Sequence, residues 1–198
     1  MNGDPYVGKL LVAAPGMTDP TFEKTVVLLL DHDAEGALGV VLNRPTAVGV
    51  AEVLPGWNVV VSAPDVVFDG GPVATDSALG VAQVAGTEEP VGFRTMFGGA
   101  DEDSFGPMIG RRTGLVDLDT PIELLTGALV SLRVFAGYAG WVGGQLEHEI
   151  VAGGWFVLEA RPEDISALAP ANLWRTVLRR QPGELALMST YPRNPELN

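Results

Sequence analysis

The chain contains no cysteine, which removes disulfides, thiolate zinc sites, iron–sulfur clusters and a cysteine nucleophile from consideration. It has only two histidines, His32 and His148, so a three-histidine metal site within one chain is impossible, and no structural zinc is expected. No apolar run approaches the roughly 18–20 residues that span a bilayer. The longest, Thr25 to Leu30, is bounded by charge and reads as a strand. The first residues show no basic region followed by an apolar stretch, so the expectation is a cytoplasmic protein. Positive charge is also scarce: 12 Lys and Arg face 25 Asp and Glu, for a net charge of −13. A duplex binder normally offers a basic face, so no direct nucleic-acid binding is expected. Several catalytic signatures are missing too. There is no Gly-x-Ser-x-Gly elbow, no phosphate-binding Walker loop and no Gly-x-Gly-x-x-Gly after a strand.

What is present is an ordinary globular composition, 46% hydrophobic over 198 residues, enough for one domain with a real core. The pattern predicts strands over Val7–Ala14, Thr25–Leu30, Ala37–Leu42, Val66–Phe68, Ala78–Val84, around Gly92–Phe97, Leu129–Tyr138 and Trp155–Glu159. Met108–Leu118 alternates loosely and reads as an edge strand carrying Arg111 and Arg112. Asp31–Gly36 reads as a hairpin loop, and Asn43-Arg44-Pro45 ends the return strand. Short helices are expected at Val48–Leu54, Thr120–Leu125 and from Pro162. A clear helix is expected over Ala171–Arg180, with Leu173, Trp174, Val177 and Leu178 inward. The acidic stretch Asp101-Glu102-Asp103 reads as an exposed loop, and residues 191–198 as a loose tail. Strands outnumber helices and short turns join them, so the fold class is α+β with a largely antiparallel sheet.

The richest stretch is 133–149, where a strand is expected to turn through a glycine-rich, aromatic corner into a helix over 143–152. Tyr138 and Trp141 supply rings, for core packing or for stacking on a ligand. Gly144 opens the helix. At about 100° per residue Leu146 and Ile150 share one face, while Gln145, His148 and Glu149 share a polar one. Glu147 flanks the apolar face, where a carboxylate needs a partner. Arg44, directly after a buried strand, could hold an anionic ligand in two parallel hydrogen bonds or pair with Glu147. Asn43 precedes it. Gly70-Gly71 forms a tight turn or lets a chain or ligand approach the backbone closely. Asp31-His32-Asp33 could ligate metal, but side chains on successive strand positions point alternately, so a solvated turn is expected. Arg175, Arg179 and Arg180 suit the negative end of a helix dipole. The candidate ligand site is therefore Asn43, Arg44, Gly70, Gly71, Tyr138, Trp141, Gly144, Gln145 and Glu147, with no catalytic residue, metal or cofactor assigned.

At these residues the chain resembles the YqgE/AlgH family. Gly8-Lys-Leu-Leu-Val-Ala-Ala-Pro15 is similar to its opening strand, and His32-Asp33-x-x-Gly36-Ala37-x-Gly39-Val40-Val41-Leu42-Asn43-Arg44-Pro45 to its first signature. Gly70-Gly71-Pro72-Val73 resembles the second, and Tyr138-Ala139-Gly140-Trp141-x-x-Gly144-Gln145-Leu146-Glu147-x-Glu149 the third. The likeness covers about residues 7–180. It implies a single α+β domain whose branched sheet curls into a small barrel, in a bacterial cytosolic protein. It carries an association with transcriptional control of alginate production and no catalytic residues to transfer. Many relatives have a histidine shortly after Gly-Gly-Pro-Val; here the chain reads Leu79-Gly80-Val81-Ala82. The expected function is a non-enzymatic regulatory or ligand-binding module, taking a small anion or a protein partner. The alternatives are a cryptic enzyme, such as a hydrolase, using Glu147 and Arg44, and a partner adaptor without a small ligand.

Overall fold

The computed structural model describes residues 6–86, 88–98 and 111–191; Asp101-Glu102-Asp103 and the tail beyond Tyr191 lie outside them. The elements in chain order are β1 (Lys9–Ala13), β2 (Val26–Asp33), β3 (Gly36–Val41), β4 (Pro45–Gly49), α1 (Val50–Val53), β5 (Val66–Asp69), β6 (Val73–Ala85), β7 (Phe93–Gly98), β8 (Arg111–Val116), β9 (Leu129–Val142), α2 (Gln145–Val151), β10 (Trp155–Glu159), α3 (Pro162–Ile165), α4 (Leu173–Arg179) and α5 (Glu184–Met188).

The sheet runs β10-β1-β2-β3-β9-β6-β8-β7, with β4 and β5 branching from β9. It curls into a half-barrel. Among the described residues every pairing is antiparallel except β5 with β9. The middle of the sheet is buried on both sides, as the unbroken apolar run of β2 requires. Val26, Leu28 and Leu30 face an inner cluster with Val40, Phe68, Val81 and Phe135. Val27 and Leu29 face an outer one with Trp141, Leu146 and Trp155. α4 closes the inner cluster with Leu173, Trp174, Val177 and Leu178, the face its spacing predicts. The Trp174 indole donates to the Ala13 carbonyl at 2.8 Å.

Four expectations are corrected. β9 continues through Gly140 and Trp141 to Val142, because cross-strand pairing with Gly36–Gly39 holds it extended; the corner shrinks to Gly143-Gly144. β2 likewise extends to Asp33, paired with Gly36, so His32 belongs to a strand. β8 is not an edge: it lies between β6 and β7, with Thr113 and Gly114 buried. Finally, Thr120–Leu125 yields only a single 3₁₀ turn at Ile122–Leu124. β3 stops at Val41, and Pro45 opens β4, which among the described residues pairs only with β5 and so tolerates a missing donor. α5 carries no sequence expectation; its short apolar face rests on α4.

Two of the three arginines near the C-terminus, Arg175 and Arg180, are engaged within the chain. Arg180 grips the buried Asp164 with both terminal nitrogens, at 2.7 and 2.6 Å, and Arg175 donates to the carbonyls of Ser189 and Tyr191.

Candidate functional site

The corner is built from the end of β9 outward. Trp141 projects to the outer cluster, where its ring meets Trp155 edge-on at 6.0 Å and lies roughly parallel to Phe22 at 6.1 Å. Buried indole N–H groups need acceptors, and one carboxylate serves both. Glu149 Oε2 accepts from Trp141 Nε1 at 3.0 Å and from Trp155 Nε1 at 2.8 Å. Its Oε1 accepts from Gln145 Nε2 at 2.9 Å, while Gln145 Oε1 accepts from the Val142 amide. Glu149 thus pins α2 to two strands, although a helical wheel places it on a solvent face.

Glu147 is half-buried, as its angle on the helix suggests, and its partner is His32. The imidazole Nε2 lies 2.8 Å from Glu147 Oε1, with the histidine side chain 8% exposed and the carboxylate 40%. Tyr6 stacks edge-on against the same imidazole at 5.0 Å. The expected pairing with Arg44 is corrected. Arg44 follows the Val41 end of β3 and donates to the Pro20 carbonyl at 2.9 Å. α2 follows Val142, which pairs with Gly36 at the other end. Five residue steps of β3, roughly 17 Å, separate the two ends.

Asn43 acts locally. Its side chain accepts from the Val26 amide and donates to the Lys24 carbonyl, both at 2.9 Å, and so ties the end of β3 to the start of β2. Gly70 and Gly71 are buried where β5 crosses β9. A Cβ on Gly70 would sit 2.3 Å from the Gly137 oxygen, and one on Gly71 2.4 Å from the Tyr138 carbonyl carbon. The close approach that two glycines permit is filled by the chain's own strand. The nine residues therefore divide. The Gly70-Gly71 turn lies beside Asn43 and Arg44 as expected, the Asp69 amide donating to the Arg44 carbonyl and the Val41 amide to the Gly70 carbonyl, both at 2.9 Å, whereas Trp141, Gly144, Gln145 and Glu147 gather at the opposite end of β3, with Tyr138 between.

Tyr138 and Trp141 open onto opposite faces, the inner and the outer cluster. On the Tyr138 face a groove of about 430 Å³ runs over Gly36, Leu38, Tyr138, Gly140 and Val142, with Val73 as a wall. Asp31 and Asp33 stand on its rim; His32, between them in the strand, turns to Glu147 instead, so the three do not converge on a metal. Val142 is 72% exposed, and the backbone of Gly140 is bare. Among the described residues no Lys or Arg lines the groove.

His32 and Glu149 are the residues that sequence reasoning missed. The signal for His32 was its alternation with Asp31 and Asp33 once β2 is allowed to run on. For Glu149 it was a pair of tryptophans whose indoles lacked any other acceptor.

A profile of the AlgH-like family matches residues 10–186. The chain belongs to the AlgH-like family. Among AlgH-like relatives, a UPF0301 protein of Streptomyces avermitilis is 54% identical over 195 residues, covering 96% of this chain and 94% of the relative. One from Streptomyces coelicolor is 53% identical with the same coverage. The crystal structure of DIP2367 from Corynebacterium diphtheriae superposes with a TM-score of 0.80 at 34% identity, over 96% of this chain and 94% of that one. The solution structure of AlgH from Pseudomonas aeruginosa gives 0.64 at 26% identity, over 98% and 99%. Among the described residues no helix is long and apolar enough to cross a membrane.

Proposed function

We propose that this AlgH-like chain is a non-enzymatic binding module whose contact surface is the groove over Gly36, Leu38, Tyr138, Gly140 and Val142. The supporting observation is an uncovered apolar strip, floored by glycine backbone and rimmed by Asp31 and Asp33, on a sheet whose middle is otherwise covered on both faces. Such a strip suits an extended apolar segment with a positive charge beside it. A small anion finds no cation there. The carboxylates that could have served acid–base chemistry nearby are held in place: Glu149 by two indoles and an amide, Glu147 by His32. With Arg44 and Glu147 at opposite ends of β3, the hydrolase reading lacks its pair. Any effect on transcription then runs through a partner seated in this groove and not through DNA.

The test fills the groove without disturbing the fold. A Cβ on Gly140 would meet Tyr138 Cε2 at 3.4 Å and Val73 Cγ2 at 3.7 Å, ordinary contacts. Gly140→Val is expected to keep the thermal midpoint within a few degrees and to weaken, at least tenfold, any peptide found with the wild-type chain in a screen of apolar, basic sequences. Peptides that bind both proteins equally place the contact elsewhere. Turnover in a broad activity screen, surviving purification, overturns the non-enzymatic reading.

A further inference from the structure

β9 changes partners along its length. On one side it pairs with β6, and the last rung of that ladder is Tyr138 with Val73. On the other side Ala139–Val142 pair with Gly36–Gly39 of β3. Past Tyr138 no described strand takes the β6 side. The Val142 amide shows how this edge is oriented: it donates to Gln145 Oε1 at 3.2 Å, off the β3 ladder. Backbone groups alternate sides along a strand, so the N–H and C=O of Gly140 point the same way as those of Tyr138 and Val142. Gly140 is exposed and is the next rung of the β6 ladder, and Gln145 Oε1 stands where the main-chain carbonyl of a further strand would. Free edges are normally blunted by lysine, proline or a bulge. Gly140-Trp141-Val142 carries neither residue, and its register with β3 is unbroken.

Two depressions flank this edge. The groove described above lies on the Tyr138 face. The second, of about 370 Å³, lies on the Trp141 face between Phe22, Trp141 and Trp155, with Asp19 and Glu149 among its polar groups. Gly140, Trp141 and Gln145 line both. Successive residues of an added strand point to opposite faces, so the residue opposite Gly140 enters the groove and its two neighbours enter the second depression. The groove suits an apolar side chain. The second depression suits a cation. Among the described residues it has two carboxylates and no Lys or Arg. Glu149 accepts from two indoles and an amide, which are neutral and leave its charge in place. A guanidinium also stacks on indole and phenyl rings. The net charge of −13 disfavours a second copy of this chain as the occupant.

We propose that the free edge of β9 takes an added strand from a partner protein, an extended segment alternating basic, apolar and basic residues, with the apolar residue opposite Gly140. This rests on the groove as the contact surface and names how the partner is held there. The central residue exchanges N–H and C=O with Gly140 and continues the β6 ladder, and the strand displaces Gln145 Oε1 from the Val142 amide. Main-chain hydrogen bonds supply affinity, and the depressions on the two faces supply specificity for alternate side chains.

The experiment titrates the isotope-labelled full-length protein with the capped peptide acetyl-Thr-Arg-Val-Arg-Thr-amide and follows backbone amides by NMR. Saturable shifts of the Gly140 and Val142 amides are expected. N-methylation of the central valine, whose N–H faces Gly140, is expected to weaken binding at least tenfold. N-methylation of the second arginine, whose N–H points to solvent, is expected to leave affinity within twofold. Asp19→Asn, which keeps the acceptor for the Thr21 amide and removes the charge, is expected to weaken binding at least threefold. No saturable shift at Gly140 overturns the added strand. Equal losses from the two methylations overturn it as well, and leave the groove reading standing where Gly140→Val still abolishes binding. Alternation that survives Gly140→Val supports the added strand and overturns the groove reading. A concentration-dependent dimer that Gly140→Val disperses assigns the edge to a second copy and overturns the basic partner.

Discussion

The α2 corner and the inner face beneath Arg133 pose the same physical problem and resolve it differently. In both, polar groups sit among apolar strands. At the corner each donor meets an acceptor: two indoles share one carboxylate, an amide takes its second oxygen, and an imidazole holds the neighbouring glutamate. Inside the half-barrel Arg133, 2% exposed, donates through Nη2 to the carbonyls of Ala63 and Ala167, while its Nε and Nη1 and the Gln83 Nε2 meet no acceptor among the described residues. A matched set fastens one element to another and needs nothing further. An unmatched set raises the energy of the folded chain.

The strongest test of this contrast is Glu149→Ala. Trp141 is 6% and Trp155 3% exposed, so the variant strands two buried donors at about 1–3 kcal/mol each. A loss of about 3–5 kcal/mol in denaturant unfolding is expected, and less for Glu149→Gln, which keeps one acceptor. A loss under about 1 kcal/mol would mean that water reaches the indoles and that the corner is no fastener. Arg133→Met should move stability the other way. Replacing a buried charge that lacks a counter-ion among the described residues with an apolar side chain is expected to gain about 1–3 kcal/mol. The gain has a pH signature. Below pH 10 the folded chain carries the buried charge at full cost. As pH rises through about 10, the folded form sheds a proton that the unfolded form retains, and the cost declines. The advantage of Arg133→Met over wild type should therefore shrink between pH 9 and 11; a constant difference would show that burial does not depress this guanidinium. The smallest effect separates the two pairings of Glu147. Double-mutant cycles are expected to give coupling of about 1 kcal/mol for His32 with Glu147 and about zero for Arg44 with Glu147.

Much of the fold was legible. The continuous apolar run of Thr25–Leu30 could only be a strand buried on both faces, and the inward face of α4 followed from its spacing. The three glycine-rich signatures announced the close crossings around β9. Boundaries were less legible, because pairing across the sheet keeps Gly140 and Asp33 extended where composition suggests a turn. That shift of three or four residues concealed His32 and gave Glu147 the wrong partner. Glu149 escaped because a helical wheel knows nothing of rings arriving from neighbouring strands. Arg133 was passed over inside Leu129–Tyr138, although one charge in the middle of an apolar strand with both faces buried is a conflict between local pattern and burial.

One consequence of the shared carboxylate is optical. Of the four tryptophans, Trp57 and Trp174 sit in other parts of the core, while Trp141 and Trp155 are bound through Glu149 to α2. Any event that lifts this helix takes the shared acceptor from both indoles together. The chain thus carries an intrinsic fluorophore pair beside its groove, and a red shift in its emission would signal, without a label, that the corner has opened.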